Sequence, residues 1–241
     1  MSKVAIVTGG TRGIGAAISI ALKDAGHTVA ANYAGNDAAA AAFSKETGIA
    51  TFKWDVSDYE ACVAGIAAVE AKLGAVDILV NNAGITRDAM LHKMTVQMWR
   101  EVIATDLDSV FNMTQPLITG MRDRGFGRII NISSINGQKG QMGQTNYSAA
   151  KAGLVGFSKA LAQEVARKGV TVNVIAPGYI DTEMLAAVPP KVMESIVAAI
   201  PVGRLGDVSE IAHCVTFLAD DKSAFITGTT LTCNGAQYIA G

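Results

Sequence analysis

Tyr147 and Lys151 stand four residues apart in the run Asn146-Tyr147-Ser148-Ala149-Ala150-Lys151. On a helix that spacing puts both side chains on one face. Free tyrosine has a pKa of about 10, so alone it is a sluggish acid or base at neutral pH. A lysine ammonium one turn away favours the phenolate. The pair is suited to give a proton to a substrate oxygen, or to take one from it. Alone, a Tyr-x-x-x-Lys spacing more often marks an amphipathic helix with one aromatic and one solvated charge. The rest of the chain decides between these readings.

A second motif follows the first apolar run, Thr8-Gly9-Gly10-Thr11-Arg12-Gly13-Ile14-Gly15. Glycines at 9, 13 and 15 let the backbone turn tightly and come close to a ligand. The helix that opens there offers free N–H groups and a positive dipole end to a pyrophosphate. A strand before the loop and a helix after it are the context that dinucleotide binding requires. An acid at the end of strand two normally takes the ribose hydroxyls of NAD. Here that end reads Ala31-Asn32-Tyr33-Ala34, with no acid. Arg12 is placed to face a 2′-phosphate instead. The expected cofactor is therefore NADP(H), with Asn32 beside its ribose.

These motifs need a frame. The chain alternates short β-branched runs with longer Ala-rich segments of helical period. The pattern predicts strands at Val4 to Thr8, Thr28 to Asn32, Ile49 to Trp54, Val76 to Val80, Gly127 to Ile132, Val170 to Ala176 and Thr229 to Thr232. It predicts helices at Gly13 to Ala25, Asn36 to Thr47, Tyr59 to Leu73, Gln97 to Met121 and Asn146 to Lys168. Strands that are apolar throughout, separated by helices, imply an α/β fold: a Rossmann-type, doubly wound parallel sheet of about seven strands, covered on both faces. With no repeat and no composition shift, residues 1–241 read as one domain. The irregular stretch 181–205, with Pro189-Pro190 and Pro201, is a candidate helical lid over a substrate site.

Composition narrows the class. Of 241 residues, 50% are hydrophobic and 17% charged, so a sizeable core can be buried. The net charge of −1 gives no global basic field for nucleic acid or a membrane surface. No run of about 18 apolar residues predicts a membrane span, and Met1-Ser2-Lys3 leads straight into a strand without the features of a signal peptide. The expected location is the cytosol. Cys62, Cys214 and Cys233 are odd in number and widely spaced, which argues against a disulfide framework and against a metal site.

The loop spacing, Asn81-Asn82-Ala83-Gly84 after strand four, and the Tyr147/Lys151 pair together resemble the short-chain dehydrogenase/reductase family over essentially the whole chain. The resemblance implies hydride transfer between a nicotinamide and a carbonyl carbon. It implies that Ser134, thirteen residues before Tyr147, hydrogen-bonds the carbonyl oxygen. Tyr147 would deliver the proton, and Lys151 would support the tyrosine and bind the nicotinamide ribose. Asp55-Val56 looks like the adenine contact. Pro177-Gly178, with Ile180 and Thr182, looks like the nicotinamide-side segment. A tetrad asparagine of the family falls 41 residues before Tyr147, where this chain has Asp106. Aspartate has nearly the same shape, but when ionised it cannot donate a hydrogen bond. Its charge favours protonated Lys151. An active enzyme with an altered proton relay is expected. Ala236 also departs from the family, which usually has glycine there.

The run 135–146, together with Gly84-Ile85-Thr86-Arg87-Asp88, resembles the acetoacetyl-CoA reductases of that family, which make (R)-3-hydroxybutyryl-CoA for polyhydroxybutyrate. That implies an acyl-CoA thioester substrate and an acyl pocket lined by Gln141, Met142, Gln144, Tyr179 and Asp88. The 3-oxoacyl-acyl-carrier-protein reductases of fatty-acid synthesis remain open, with Lys93, Arg122, Arg124 and Arg128 as a candidate basic patch at the pocket mouth. A non-catalytic NADP-binding subunit is a further alternative, although the tyrosine and lysine are both present. The helix from about 147 to 168 is apolar on more of its surface than one sheet face can cover. Together with the habit of the family, this predicts a homotetramer.

Overall fold

The computed structural model describes residues 2–183 and 188–239. Seven strands form one sheet: β1 (Val4–Val7), β2 (Thr28–Tyr33), β3 (Ala50–Lys53), β4 (Val76–Asn81), β5 (Gly127–Ile132), β6 (Val170–Pro177) and β7 (Thr230–Cys233). Every neighbouring pair is parallel, in the order β3-β2-β1-β4-β5-β6-β7. The order reverses between β1 and β4. Beyond the strand carboxyl ends that reversal opens a crevice, the usual ligand site of such sheets.

Helices cover both faces, as parallel strands require. They are α1 (Gly13–Asp24), α2 (Asp37–Thr47), α3 (Tyr59–Leu73), α4 (Val96–Ile103), α5 (Ser109–Arg124), α6 (Ile135–Lys139), α7 (Thr145–Val165), α8 (Pro190–Ala198) and α9 (Val208–Ala219). On one face Ile18 and Leu22 of α1 and Ile211, Val215 and Leu218 of α9 pack on Val7, Ile78, Val80 and Ile130. On the other, Ile66 of α3, Met113 and Met121 of α5 and Ala162 and Val165 of α7 pack on Ile6, Leu79, Ile129 and Val172. β4, β5 and β6 are buried on both sides, which explains their unbroken apolar character. No helix among the described residues is long and apolar enough to cross a membrane.

The predicted strands and four of the five predicted helices form, with ends shifted by a few residues. Three features differ. The single helix predicted over 97–121 is α4 and α5 joined through a π turn, Ala104–Asp108. Such wider turns are frequent at functional sites. The pattern predicts nothing over 206–228, yet α9 lies there and covers the sheet beside α1. Its start was legible: Asp207 and Glu210 form a reciprocal capping box. Within the predicted lid at 181–205, Pro190–Ala198 is helical, while 184–187 lie outside the described residues.

Ala236 has φ of 65°, the one left-handed non-glycine among the described residues. That conformation crowds a Cβ and costs about 1 kcal/mol or more. Ala236→Gly should therefore stabilise the protein, with a melting midpoint raised by about 2–4 °C for a chain of this size. Differential scanning calorimetry would check this; an unchanged or lower midpoint would contradict it.

Candidate active site

β1 ends at the glycine loop. Gly9 and Gly13 have φ of 61° and 49°, which only glycine adopts freely. At Gly15 a Cβ would stand 2.1 Å from the Gly9 carbonyl oxygen. The loop is therefore folded back upon the helix start with no room for a side chain. Ile14, one residue into α1, packs against the core on that face. Thr11 is buried, whereas Arg12 and Gly13 are exposed at the amino end of α1. The Arg12 side chain makes no cap bond and is free to meet a ligand.

Two groups that brace this loop were missed by sequence reasoning. Thr8 is buried, and its Oγ1 accepts from the N–H groups of Asn82 (2.9 Å) and Ala83 (3.0 Å). A Cβ on Gly10 would stand 2.7 Å from the Val7 carbonyl oxygen. Asn82 Nδ2 in turn donates to the Thr8 carbonyl at 2.9 Å. Asn32 also braces the loop: its Oδ1 accepts from Gly9 N–H at 3.4 Å and its Nδ2 donates to the Trp54 carbonyl at 3.0 Å. Asp55 holds Ser57 through one carboxylate oxygen, and Val56 is buried beside it. Across the crevice Gly178 N–H donates to the Cys233 carbonyl at 2.9 Å, following Pro177 at the end of β6. Ile180 is buried. The Thr182 methyl carbon lies 3.8 Å from where a Gly13 Cβ would stand, so this segment returns over the glycine loop.

The catalytic candidates meet at the carboxyl ends of β4 and β5. Lys151 is buried in α7, with its Nζ 5.6 Å from the Tyr147 ring centroid. Nζ donates to the Ile132 carbonyl at 3.1 Å and lies 3.3 Å from Asp106 Oδ2. The other oxygen, Oδ1, accepts from Ile85 N–H at 2.8 Å. The π turn thus delivers Asp106 against the lysine, and Gly84 leaves the space for it: a Cβ there would be 2.8 Å from Oδ2. Burial lifts the Asp106 carboxyl above the usual carboxylate range, and the Lys151 charge pulls against that lift. Burial works against the Lys151 ammonium, but Asp106 and Tyr147 outweigh it and its pKa rises. Lys151 is therefore a persistent buried ammonium.

Ser134 caps α6, and its Oγ accepts from Asn136 N–H at 3.1 Å. The hydroxyl proton is left to donate elsewhere. α6 lies so close to α7 that a Gly137 Cβ would be 2.7 Å from the Lys151 carbonyl carbon. Asn146, fully buried, donates to the carbonyls of Arg87 (3.0 Å) and Met98 (3.3 Å) and fixes the start of α7. The sequence offers no signal for that role beyond the position of Asn146 beside the tyrosine.

Of the predicted pocket residues, the structure brings Asp88, Gln144 and Tyr179 together. Gln144 Nε2 donates to Asp88 Oδ2 at 2.9 Å. Burial, then the Asp88 charge, raises the Tyr179 pKa. Gln141 accepts from Lys139 at 3.0 Å, and Met142 is 80% exposed, on the loop above them. Of the suggested basic patch, the three arginines do not lie at the pocket mouth, while Lys93 ends a short turn after β4. Arg128 lies near the start of β5, bonded to the Gly127 carbonyl, and Arg124 bonds the Val76 carbonyl at the start of β4. Arg122 ends α5 beside them. All three sit at the strand amino ends, the length of β5 away from Ser134. Their helical and β-start positions explain this, since α5 runs antiparallel to the strands.

A family profile described as "Enoyl-(Acyl carrier protein) reductase" matches residues 9–235. The chain is 70% identical to an acetoacetyl-CoA reductase of Rhizobium meliloti (strain 1021) over all of both chains. It is 65% identical to an acetoacetyl-CoA reductase of Paracoccus denitrificans, over 99% of each chain. It is 45% identical to a 3-oxoacyl-acyl-carrier-protein reductase of Vibrio harveyi, over 98% of each. The chain belongs to the short-chain dehydrogenase/reductase family, a family of oxidoreductases.

The packing of α6 on α7 gives a direct test. Gly137→Ala must push α6 off Lys151, and overpacking of this kind costs about 1–3 kcal/mol. The expected result is a melting midpoint lowered by about 3–10 °C, with loss of turnover because Ser134 moves with α6. Full activity and an unchanged midpoint would show that α6 shifts without consequence.

Proposed function

We propose, from membership of this family, that the protein reduces acetoacetyl-CoA to (R)-3-hydroxybutyryl-CoA with NADPH. The observation that carries the substrate is identity: 65% and 70% to full-length relatives named acetoacetyl-CoA reductase, against 45% to the carrier-protein reductase. The product would feed polyhydroxybutyrate synthesis. The glycine loop and the amino end of α1, at Gly9, Thr11, Arg12, Gly13, Ile14 and Gly15, form a cradle that side chains would fill, and it fits a dinucleotide pyrophosphate. The exposed Arg12 guanidinium suits a 2′-phosphate, which favours NADP(H). Asp55 and Val56 flank the adenine, Asn82, Ala83 and Gly84 the ribose side, and Pro177, Gly178, Ile180 and Thr182 the nicotinamide side. Asn32 contributes by holding the loop.

When bound, the nicotinamide supplies the hydride. The protein does the rest. Ser134, one lone pair occupied by Asn136 N–H, keeps its proton and donates a hydrogen bond to the substrate carbonyl. Tyr147 gives its proton to the oxygen as charge develops there. The Lys151 ammonium stabilises the phenolate left behind. Asp106 keeps that ammonium charged. Gln141, Met142, Gln144, Asp88 and Tyr179 form the acyl side, and the segment around α8 closes it as a lid.

We read the assembly as a homotetramer. α7 leaves Ala149, Ala152 and Gly156 exposed in a row of small residues, and Phe111 of α5 is 52% exposed. Such faces suit a partner helix.

The deciding assay follows NADPH oxidation with acetoacetyl-CoA, beside acetoacetyl-carrier protein and NADH. The CoA ester with NADPH should be preferred by about tenfold or more in kcat/KM, about 1.4 kcal/mol of discrimination. Preference for the carrier protein would move the enzyme to fatty-acid synthesis, and silence on both would leave a non-catalytic NADP-binding subunit. A second test concerns Asp106→Asn. Without the carboxylate, Lys151 loses its strongest upward influence and gives up its proton at lower pH. The alkaline limb of the kcat–pH profile should move to lower pH. A limb that stays in place would show that Asp106 does not act through Lys151.

A further inference from the structure

Gln144 is held at both ends of its amide. Its Nε2 donates to Asp88 Oδ2 at 2.9 Å, and its Oε1 accepts from Asn136 Nδ2 at 2.9 Å. The polarity of this chain is dictated by its members. An ionised carboxylate only accepts, so Gln144 must turn its NH2 to Asp88. Its carbonyl then faces Asn136, which must donate. Asn136 is 8% exposed and its own Oδ1 is left buried with no partner. An unpaired buried carbonyl is costly, yet the flipped amide would set two carbonyls against each other. The chain also lies across two loops that a backbone bond already joins, Ala89 N–H to the Gly143 carbonyl at 2.9 Å. At its inner end Asn136 sits in α6 and gives its backbone N–H to Ser134 Oγ.

We propose that Asn136 is a positioning residue for substrate specificity: it fixes the polarity of the Gln144 amide, so that the acyl pocket meets the substrate with a donor on the Asp88 side. One N–H of that amide remains after Asp88 takes the other. A 3-oxoacyl thioester carries two carbonyl acceptors and no donor, so this polarity matches it. The inference rests on the acetoacetyl-CoA reading above. The Asn136 side chain bonds neither Ser134 nor the cofactor cradle and acts through Gln144; its bond to Ser134 is made by the backbone N–H, which the substitutions below keep.

Polarity can be reversed by substitution. Asn136→Asp replaces the donor by an acceptor at the same shape. Gln144 must then flip, and its carbonyl meets the Asp88 carboxylate. KM for acetoacetyl-CoA should rise about tenfold, with kcat changed less than about threefold and NADPH affinity unchanged. Adding Asp88→Asn gives that position an amide with two N–H groups: one meets the flipped Gln144 carbonyl and the other restores a donor toward the substrate on the same side, so KM should return to within about threefold of the parent. Asp88→Asn alone, which can still accept, should be mild. Asn136→Leu is the control: it removes the donor without reversing polarity, so Asp88→Asn should give it no recovery. Rescue of N136D by D88N, absent from N136L, supports the proposal. Additive losses, or equal rescue of both, would overturn it. The same cycle is read in melting midpoints, where N136D should lose about 3 °C and D88N restore it. If the parent turned over no acetoacetyl-CoA, the substrate reading would fall by itself. Rescue confined to the midpoint would then leave a structural strut and overturn the positioning role.

Discussion

The buried charge on Lys151 is the constraint around which the site is built. An ammonium withdrawn from water is expensive unless it is paired and hydrogen-bonded. Here Asp106 Oδ2 lies 3.3 Å away and the Ile132 carbonyl 3.1 Å away. Each partner comes from a different element: the π turn between α4 and α5, and the end of β5. The lysine therefore ties the registers of three elements together. A regular α-helix through 104–108 would not deliver Asp106 in the same way, which gives the irregular turn a physical reason. The pairing also explains why the two groups respond to burial differently. Asp106 is lifted by desolvation, while Lys151 keeps its proton because the carboxylate and the tyrosine outweigh it.

Space around that charge is made by residues that lack side chains. Gly84 leaves room for Asp106, and Gly137 lets α6 rest on the backbone of Lys151. Gly15 does the same for the loop that turns into α1. Three close backbone approaches thus set the distances among the cofactor cradle, Ser134 and Tyr147. Polar groups then lock them: Thr8 and Asn82 hold the glycine loop to β4, and Asn146 holds α7 to the loop after it. This is preorganisation in a literal sense, since the reacting groups need not be ordered when substrate arrives.

Much of this was legible in the chain. Alternating strand and helix patterns give the sheet, because strands buried on both faces must be apolar throughout. The spacing of Ser134, Tyr147 and Lys151 marks the site because strand five and α7 are joined by one short connection. What escaped is what depends on contacts distant in sequence. Thr8 reads as one more strand threonine until Asn82 and Ala83 are seen to converge on it. Asn136 reads as loop until α6 folds beside α7. The π turn leaves no periodic signature within a helix. α9 is a different case: its capping box at Asp207 and Glu210 is local and legible, but the helix follows directly on an irregular, proline-rich stretch that masks its start.

The basic residues show why charge counting alone misleads. Arg122, Arg124 and Arg128 cluster in sequence at the beginning of a strand that leads to Ser134. A strand has two ends, and these side chains belong to the first. Arg128 is buried against the Gly127 carbonyl and over the Phe126 ring, and Arg124 binds the Val76 carbonyl and Asp77. They fasten the amino ends of β4 and β5, as Lys3 does by pairing with Asp221. The candidate site lies at the carboxyl ends, where the sheet order reverses and backbone groups stand free. The same short segment of chain therefore fastens the sheet at one end and lines the candidate site at the other. Only the direction of the strand tells which residues do which.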